Sequence, residues 1–353
     1  MDKQALIFSF GACAFTVIVI PLVLRLCKKN SWYDKMNARK IHTENIPRLG
    51  SLGFVPAFFI FASVFVSKQD TGLFLRLLPL FAAGFIVFIF GLCDDFADLP
   101  AGIKLAGQVL VSFIPLAFDF RFTQFGPLQL GALGYALTFV WFIGSINAFN
   151  LIDGVDALCG SLSFFLALTL GIICLLAGKP VLPGGIFFVL AGSLFGFLLY
   201  NKPKAKIFMG DGGSQFLGFA FAVFPLCGIS AFVDYNLFPL MIVLVSIPAL
   251  DTVAAVWRRK RERHSFYTAD SAHLHHKLLR MGYTTRSVLA VLLTIQAGLC
   301  CVAAFAATVL GGKRGFFVLG GAFAAMTVFF ALIHYTYRAV NRQSFPRAAG
   351  EKQ

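Results

Sequence analysis

Residues 74–92 read FLRLLPLFAAGFIVFIFGL, and two adjacent acids, Asp94 and Asp95, follow almost at once. A helix that crosses the hydrocarbon core of a bilayer needs about 20 mostly apolar residues. The segment therefore predicts a membrane-spanning helix with two acids at its end. Similar runs recur along the chain, which has 58% hydrophobic residues, 13% charged residues and a mean hydropathy of +0.81. A soluble domain carries about 25% charged residues, so soluble enzymes, secreted disulfide scaffolds and disordered tails are excluded.

The succession of apolar runs predicts an all-α polytopic integral membrane protein with about eleven (10–11) transmembrane helices. No change of composition divides the chain, so residues 1–353 are expected to form a single membrane-embedded domain. The Gly-, Pro- and Phe-rich segment 119–134 predicts a short external hairpin. The approximate spans are 5–27, 50–67, 74–92, 103–118, 135–149, 159–177, 185–200, 214–230, 238–257, 288–310 and 315–335.

The basic residues predict the orientation of these spans. Segments 25–48, 93–104, 201–206, 258–286 and 338–353 hold 23 of the 30 Lys and Arg residues. Because cytoplasmic loops are enriched in Lys and Arg, these segments are predicted to be cytoplasmic. The N-terminus is then outside and the tail inside. The net charge of +14 reflects this topology, and no nucleic-acid partner is expected.

Four groups of polar residues fall on the predicted cytoplasmic side. The first is Asp94 and Asp95 with Asp98 close behind. Carboxylates this close repel one another and need water, a cation or a basic partner. Such a cluster is suited to Mg²⁺, which takes carboxylate oxygens and completes its shell with substrate phosphates. Lys104 follows as a candidate phosphate ligand. The alternative is a solvated helix end.

The second group is the segment from Asn147 to Asp156, which also contains Asn150 and Asp153. Amide and carboxylate oxygens are hard ligands that Mg²⁺ prefers. Four such side chains in one short segment fit lipid poorly, so the segment is predicted to belong to a polar site. The alternative is a capped loop between two helices.

The third group is residues 209–214, reading MGDGGS. Glycines before a helix expose backbone N–H groups that are suited to an anion. Asp211 would either cap the helix or bind a cation that bridges to phosphate.

The fourth group is the loop 258–287, which opens with four basic residues including Arg259 and continues to His273, His275 and His276. His273 and His275 would point apart on a helix, and no cysteine is near, so zinc is not favoured. The histidines are interpreted as hydrogen-bond donors to phosphate or sugar. A membrane anchor for the basic run and a solvated helix for the histidines are the alternatives.

Two smaller features complete this side. Residues 39–50, which contain Pro47 and Arg48, are interpreted as a basic loop that binds anionic lipid head groups. Asp251 lies inside an apolar run and is expected to pair with a base such as Arg258 or Arg259.

Together these groups predict phosphoryl transfer at the inner face of a membrane, with a lipid as one substrate. A transporter is the main rival, since intramembrane carboxylates also mark ion pathways. A second rival is an inactive assembly or lipid-binding protein. Loss of product release in an Asp95→Asn variant that still inserts in the membrane would distinguish them.

The chain resembles the polyprenyl-phosphate N-acetylhexosamine-1-phosphate transferases of cell-envelope polysaccharide synthesis and the related phospho-N-acetylmuramoyl-pentapeptide transferase. The resemblance extends from Lys40 to His276. It favours the N-acetylglucosamine branch. The residues that carry it are Asp94-Asp95, Asn147, Asn150, Asp153, Gly154 and Asp156, Met209 to Ser214, and Ser265, Tyr267, Asp270, His273, His275 and His276. Departures are Ala157, Phe266-Tyr267 and Gly50-Ser51, which leave the sugar more open than the reaction.

The resemblance implies transfer of N-acetylhexosamine 1-phosphate from a UDP-sugar to undecaprenyl phosphate at a bacterial inner membrane, with release of UMP. It implies Mg²⁺, or Mn²⁺ in its place, held by Asp211 and Asn150. A muramoyl-pentapeptide donor is the alternative, and a homodimer is compatible with the chain. The implied catalytic residues are Asp94, Asp95, Asp153, Asp211 and His273, and the implied substrate-binding residues are Lys104, Asn147, Asp156, Arg259, His275 and His276. Direct attack by the lipid phosphate, placed or deprotonated by Asp94, is favoured over a covalent aspartyl intermediate.

Overall fold

The computed structural model describes residues 3–33, 46–177, 181–261 and 273–344, and these residues form a bundle of α-helices. The helices are α1 Lys3–Asn30, α2 Ser51–Gln69, α3 Thr71–Ala97, α4 Ala101–Ala117, α5 Leu133–Ile152, α6 Leu158–Leu176, α7 Val181–Asn201, α8 Asp211–Val223, α9 Ser230–Leu244, α10 Ser246–Arg261, α11 Leu274–Arg280, α12 Thr285–Phe305 and α13 Gly312–Ser344.

In the described part of the chain, eight helices are long and apolar enough to cross a membrane, so the predicted polytopic all-α class is confirmed. Helices α9 and α10 meet the same criterion only as a pair, which is bent by 73° at the break between them. The predicted spans 103–118 and 214–230 correspond to the shorter helices α4 and α8. Helix α8 continues into a 3₁₀ turn at Phe224–Cys227, and the two together are about 28 Å long.

The bend between α9 and α10 has a backbone cause. Pro248 has no N–H group, so it cannot donate to the carbonyl of Leu244 one turn before it. The side-chain amide of Gln296 in α12 donates to that carbonyl instead, with an N–O distance of 3.0 Å. The break therefore leaves no unsatisfied carbonyl at this point, and a neighbouring helix fixes it in place.

Helix α8 lies at the centre of the bundle, and all of its residues from Gly212 to Val223 are buried. Helices α3 and α5 pack on it. The hydroxyl of Ser145 in α5 donates to the carbonyl of Gly218 in α8 at 2.9 Å. Phe216 of α8 and Phe224 of the 3₁₀ turn both contact the ring of Phe58 in α2. The central position of α8 means that residues at its first turn face the ends of several other helices.

The hairpin predicted in residues 119–134 is confirmed. Strands β1 Gln124–Phe125 and β2 Leu128–Gln129 pair antiparallel, with Phe125 opposite Leu128. The amide of Gly126 at the turn donates to the carbonyl of Tyr235 in α9 at 3.0 Å. The hairpin thus joins the end of α4 to the start of α5 and contacts the start of α9.

Candidate active site

The end of α3 and the starts of α4 and α8 meet around one ammonium group. Lys104 of α4 contacts the carboxylate of Asp94 at the end of α3, and its Nζ lies 3.2 Å from Oδ2 of Asp211 at the start of α8. Asp94 is only 2% exposed. Its other oxygen accepts the amide of Leu99 at 2.8 Å. Two acids from distant parts of the chain therefore share one cation.

Asp95 has a different position from its neighbour Asp94. Its side chain is fully buried, and its two oxygens accept the backbone amides of Asp211 and Gly212 at 2.8 and 3.0 Å. These amides begin α8, where N–H groups have no partner within the helix and where the helix dipole favours a negative charge. Asp95 thus caps α8 from another helix. The two amides are occupied by Asp95, whereas the glycine-rich sequence predicted them to be open to a phosphate.

Arg48 is a second cation at this site, and sequence reasoning did not include it among the candidate residues. Its Nη2 lies 3.5 Å from Oδ1 of Asp211, and its Nε lies 4.0 Å from Oδ1 of Asp95. The signal for it was the Pro47-Arg48 pair in the basic loop, which we interpreted as a lipid head-group contact. The structure places it beside the carboxylates.

The two asparagines of α5 contact α4 and α8. The amide nitrogen of Asn150 donates to the hydroxyl of Ser214, in the first turn of α8, at 3.2 Å. Asn147 donates to Oε1 of Gln108 in α4 at 2.7 Å, and Gln108 lies 3.5 Å from Gln215 in α8. This chain of amides, in which Gln108 and Gln215 are buried, ties α4, α5 and α8 together one turn below the carboxylates. Gln215 is a further residue that sequence reasoning missed.

Asp153 and Asp156 follow the end of α5. Burial raises the pKa of Asp153 to about 7, and the negative charge of Asp211 adds to the shift. The side chain of Asp156 is 5% exposed, and its Oδ2 accepts the amide of Ala205 at 3.1 Å. Ala205 lies in the loop between α7 and α8, so Asp156 holds that loop against the end of α5.

The histidine segment contacts the same region. His275 is 1% exposed and lies against Gly154, where an added Cβ would be 2.5 Å from its Nε2. Burial lowers the pKa of His275 to about 3, and the neighbouring His276 adds to the shift. The ring of His276 lies 4.3 Å from the ring of His275. A neutral His275 therefore packs α11 against the loop after α5. This contact requires a glycine at position 154.

His273 is held by Asp251 of α10. Its Nδ1 lies 2.9 Å from Oδ2 of Asp251, and the amide of Leu274 donates to the other oxygen at 2.8 Å. The expected structural pairing of Asp251 is confirmed, but the partner is His273 where Arg258 or Arg259 was expected. Arg259 lies in the last turn of α10. Lys40, Ser265, Phe266, Tyr267 and Asp270 lie outside the described residues.

Comparison with known proteins shows which family the chain resembles. The family model of glycosyl transferase family 4 matches residues 77–229, which include both the carboxylate cluster and the asparagine motif. The chain is 32% identical over 298 residues to the "Probable undecaprenyl-phosphate N-acetylglucosaminyl 1-phosphate transferase" of Bacillus subtilis (strain 168), covering 82% of this chain and 81% of that protein. It is 30% identical over 298 residues to the undecaprenyl-phosphate alpha-N-acetylglucosaminyl 1-phosphate transferase of Escherichia coli (strain K12), covering 81% and 79%. The protein of that name from Yersinia pestis is 31% identical over 297 residues, covering 81% and 79%.

The chain belongs to glycosyl transferase family 4. The predicted resemblance is therefore confirmed at the level of the family. The matched residues 77–229 include Asp94, Asp95, Lys104 and Asp211 but not Arg48. They exclude the histidine segment, which the structure nevertheless packs against Gly154.

The donor set of this family member fits a divalent metal ion. Asp211 begins α8, and Asn150 of α5 contacts Ser214 in the first turn of α8. Their side chains carry carboxylate and amide oxygens, which Mg²⁺ and Mn²⁺ prefer. Lys104 already places positive charge between Asp94 and Asp211. Within the described ranges, no three His, Cys, Asp or Glu side chains form a complete ligand group. This is compatible with Mg²⁺, which usually takes one or two carboxylates and completes its shell with water and phosphates.

Proposed function

We propose that this protein transfers N-acetylglucosamine 1-phosphate from UDP-N-acetylglucosamine to undecaprenyl phosphate, with release of UMP. This would be the first membrane step of a cell-envelope polysaccharide. The observation that carries the proposal is the pair of acids, Asp94 and Asp211, that share Lys104 beside Asn150. Acids and cations mixed in this way suit a diphosphate held by a metal ion and a basic side chain. The names of the relatives support the choice of sugar and lipid.

In the proposed reaction, an oxygen of the lipid phosphate attacks the β-phosphorus of the donor. A bond forms between that oxygen and phosphorus, and the bond from the β-phosphorus to the bridging oxygen breaks. The electron pair leaves with UMP, and the sugar phosphate stays on the lipid as a diphosphate. Because the second pKa of a phosphate monoester is about 6, much of the lipid phosphate is a dianion at neutral pH. Asp94 would then mainly position the nucleophile, without an aspartyl intermediate.

The residues of the site divide this work between them. Lys104 would bind a phosphate oxygen, where a fixed cation stabilises the charge that develops in the transition state. Asp211 and Asn150 would hold Mg²⁺, which when bound neutralises the diphosphate and the leaving oxygen. Asp95 would keep Asp211 in place through the backbone of α8. Asp153 would support the site.

The histidine segment and the loop after α5 are proposed to bind the donor. His273 and His275 lie at the start of α11, and His275 contacts Gly154 between the two acids Asp153 and Asp156. Asp156 is proposed to lie near the uridine, with Asn147, Arg259 and His276 at the edge of the same pocket. A muramoyl-pentapeptide donor would need room for a peptide beside these residues and is the less favoured choice.

We further propose eleven traverses of a bacterial inner membrane, with the N-terminus outside and the site cytoplasmic. The contacts sort the helix ends into two groups. Arg48, Asp94, Lys104 and Asp211 meet at one end. At the other end, Gln69 contacts Gln4, and Asn236 contacts the backbone of Gly312. Helices α4 and α8 connect the two groups, which supports counting them as traverses. A homodimer stays a prediction.

The test is release of UMP by the purified full-length protein in detergent with undecaprenyl phosphate, Mg²⁺ and a panel of UDP-sugars. We expect release that requires both the lipid and the metal ion, with UDP-N-acetylglucosamine as the best donor. The matched control is Asp119→Asn, which changes an exposed acid at the opposite end of the bundle. Absence of release from every donor by folded protein would contradict the proposal and favour the transporter alternative. A trapped phospho-enzyme would contradict single displacement.

A further inference from the structure

The segment before α2 is fixed against the loop that leads into α8. The amide of Phe208 donates to the carbonyl of Pro47 at 2.8 Å, and the amide of Gly50 donates to the carbonyl of Phe208 at 2.9 Å. The amide of Ser51 donates to the carbonyl of Met209 at 3.0 Å. These three bonds use only main-chain atoms, so they hold Arg48 in register with Asp211 whatever side chain stands at position 48.

Gly210 makes this close approach possible. Its φ is +80°, a conformation that favours glycine. A Cβ at this position would overlap the carbonyl oxygen of Arg48 and would lie 2.6 Å from Oδ2 of Asp95. The backbone of Arg48 therefore lies directly on the residue that precedes Asp211, and its side chain has a fixed origin beside the carboxylates.

Two cations of the chain occupy positions beside the Asp211 carboxylate, where they would compete with a metal ion. Arg48 approaches Oδ1 of Asp211 at 3.5 Å, and Lys104 approaches Oδ2 at 3.2 Å. Each oxygen of the proposed metal ligand thus has a cation of the chain beside it. The side chain of Arg48 is 31% exposed, so it is not enclosed by the surrounding helices. A metal ion and the guanidinium would repel each other if both stayed on this carboxylate.

We propose that Arg48 is a phosphate-binding residue that exchanges partners: it pairs with Asp211 in the substrate-free protein and binds the donor diphosphate once a divalent cation takes Asp211. The inference rests on the proposed function and adds a substrate contact to it. The guanidinium has five donors in a planar fork that binds phosphate oxygens in pairs. In the substrate-free protein the same group lowers the repulsion between Asp95 and Asp211.

The exchange makes two predictions of opposite sign for Arg48→Gln. Because the competing cation is lost, Mn²⁺ should bind the nucleotide-free protein more tightly, by about threefold to tenfold. Because charge-assisted hydrogen bonds to the diphosphate are lost, UDP-N-acetylglucosamine should bind more weakly, by about tenfold or more. A merely structural role for Arg48 would weaken both.

The experiment uses the purified full-length protein in detergent. Mn²⁺ binding without nucleotide is followed by electron paramagnetic resonance, and donor binding in Mg²⁺ is followed by calorimetry. Arg48→Lys should retain near wild-type Mn²⁺ affinity but lose part of the donor affinity, since an ammonium cannot bind two oxygens in a fork. Arg76→Gln, about 27 Å along α3 from Asp94, is the control and should change neither affinity. Melting temperatures establish that each variant is folded.

Weaker Mn²⁺ binding in Arg48→Gln, or unchanged donor binding, would overturn the inference. If the wild-type protein still releases UMP in a lipid-dependent reaction, the proposed function stands without the partner exchange of Arg48. If the wild-type protein binds no UDP-sugar, the proposed function fails first, and the exchange fails with it. The two failures are therefore distinguished by the wild-type measurements.

Discussion

The two ends of the α4–α5 pair each hold aspartates beside cations, but the arrangements differ. At the hairpin end, Asp119 accepts from Arg121 and from the hydroxyl of Tyr135, both at 2.7 Å. These partners are close in sequence, and they lower the pKa of Asp119. At the other end, Asp94 and Asp211 share Lys104, and Asp211 also attracts Arg48.

The difference distinguishes a local ion pair at the hairpin end from a site at the other end that is suited to bind a ligand. Asp119 has its own cation, so its position needs nothing more than the local chain. The acids of the site come from separate helices and share their cations, an arrangement whose repulsion a metal ion and a diphosphate would relieve. The following predictions test this contrast, from the largest expected effect to the smallest.

The first prediction concerns the carboxylate of Asp211. In Asp211→Asn, UMP release should fall by about 10²- to 10³-fold or more, since one preorganised charged group at a reacting phosphate contributes about this much. Asp119→Asn should leave the rate within about twofold. Steady-state rates at saturating Mg²⁺ measure both. Comparable losses in the two variants would show that the contrast between the ends is not functional.

The second prediction compares two helix caps. Asp95→Ala removes a buried carboxylate that accepts two amides of α8, whereas Asp70→Ala removes an exposed cap that accepts one amide of α3, that of Leu73. A cap is worth about 1 kcal/mol and up to about 2 kcal/mol. We expect a clear fall in melting temperature and loss of UMP release for Asp95→Ala. Asp70→Ala should show a small fall and full activity.

The third prediction compares Gly144 within α5 and Gly154 just after its end. Gly154→Ala would push against His275, while an added Cβ at Gly144 meets no atom within 4 Å among the described residues. Gly154→Ala should raise the KM for the UDP-sugar several-fold with a smaller effect on kcat, because it displaces the proposed donor pocket. Gly144→Ala should be neutral or slightly stabilising, since alanine favours helices. Equal KM values would contradict the placement of the donor.

The fourth prediction is a difference in pH dependence between the ends. His275 has a pKa of about 3 in the folded protein, against an ordinary value near 6.5. The folded protein holds His275 in its neutral form. Its contribution to the stability of the fold is therefore complete above pH 6.5 and is lost as the pH falls toward 3. The lowered pKa of Asp119 acts only below its ordinary value of 3.8. His273, His276 and Asp251 are the titratable groups that act on His275.

Hydrogen exchange between pH 7.5 and 5.5 measures this difference. Segments 273–280 and 150–156 should lose protection as the pH falls, after correction for intrinsic exchange, whereas segment 119–135 should keep it. In a His275→Gln variant the loss should be smaller. Equal protection at both pH values in the wild-type protein would contradict a buried, neutral His275.

Much of the fold followed from local sequence. Apolar runs of about 20 residues can satisfy their backbone only as helices in a membrane. About eleven spanning helices were therefore predicted, and eight of the described helices are long and apolar enough to cross. Turn-forming residues likewise predicted the hairpin around Gly126. The bend at Pro248 was not predicted, because it depends on Gln296, which supplies a hydrogen bond from another helix.

The chemistry of the site also followed from residue types. Carboxylates, amides and bases near the ends of apolar runs must face water or partners, which singled out Asp94, Lys104, Asn150 and Asp211. Which group performs which task did not follow, since adjacent residues can point to different neighbours. Asp94 and Asp95 differ by one position, yet one pairs with Lys104 and the other caps α8.

The sequence by itself thus determined that the chain is a helical membrane protein with an acidic, basic and amide-rich site at one end, because burial of charge and backbone satisfaction are local requirements. Only the tertiary structure decided that Arg48 lies on Asp211, that Asp251 holds His273 and that His275 packs on Gly154. These contacts join residues far apart along the chain, and their formation depends on how the helices pack around α8.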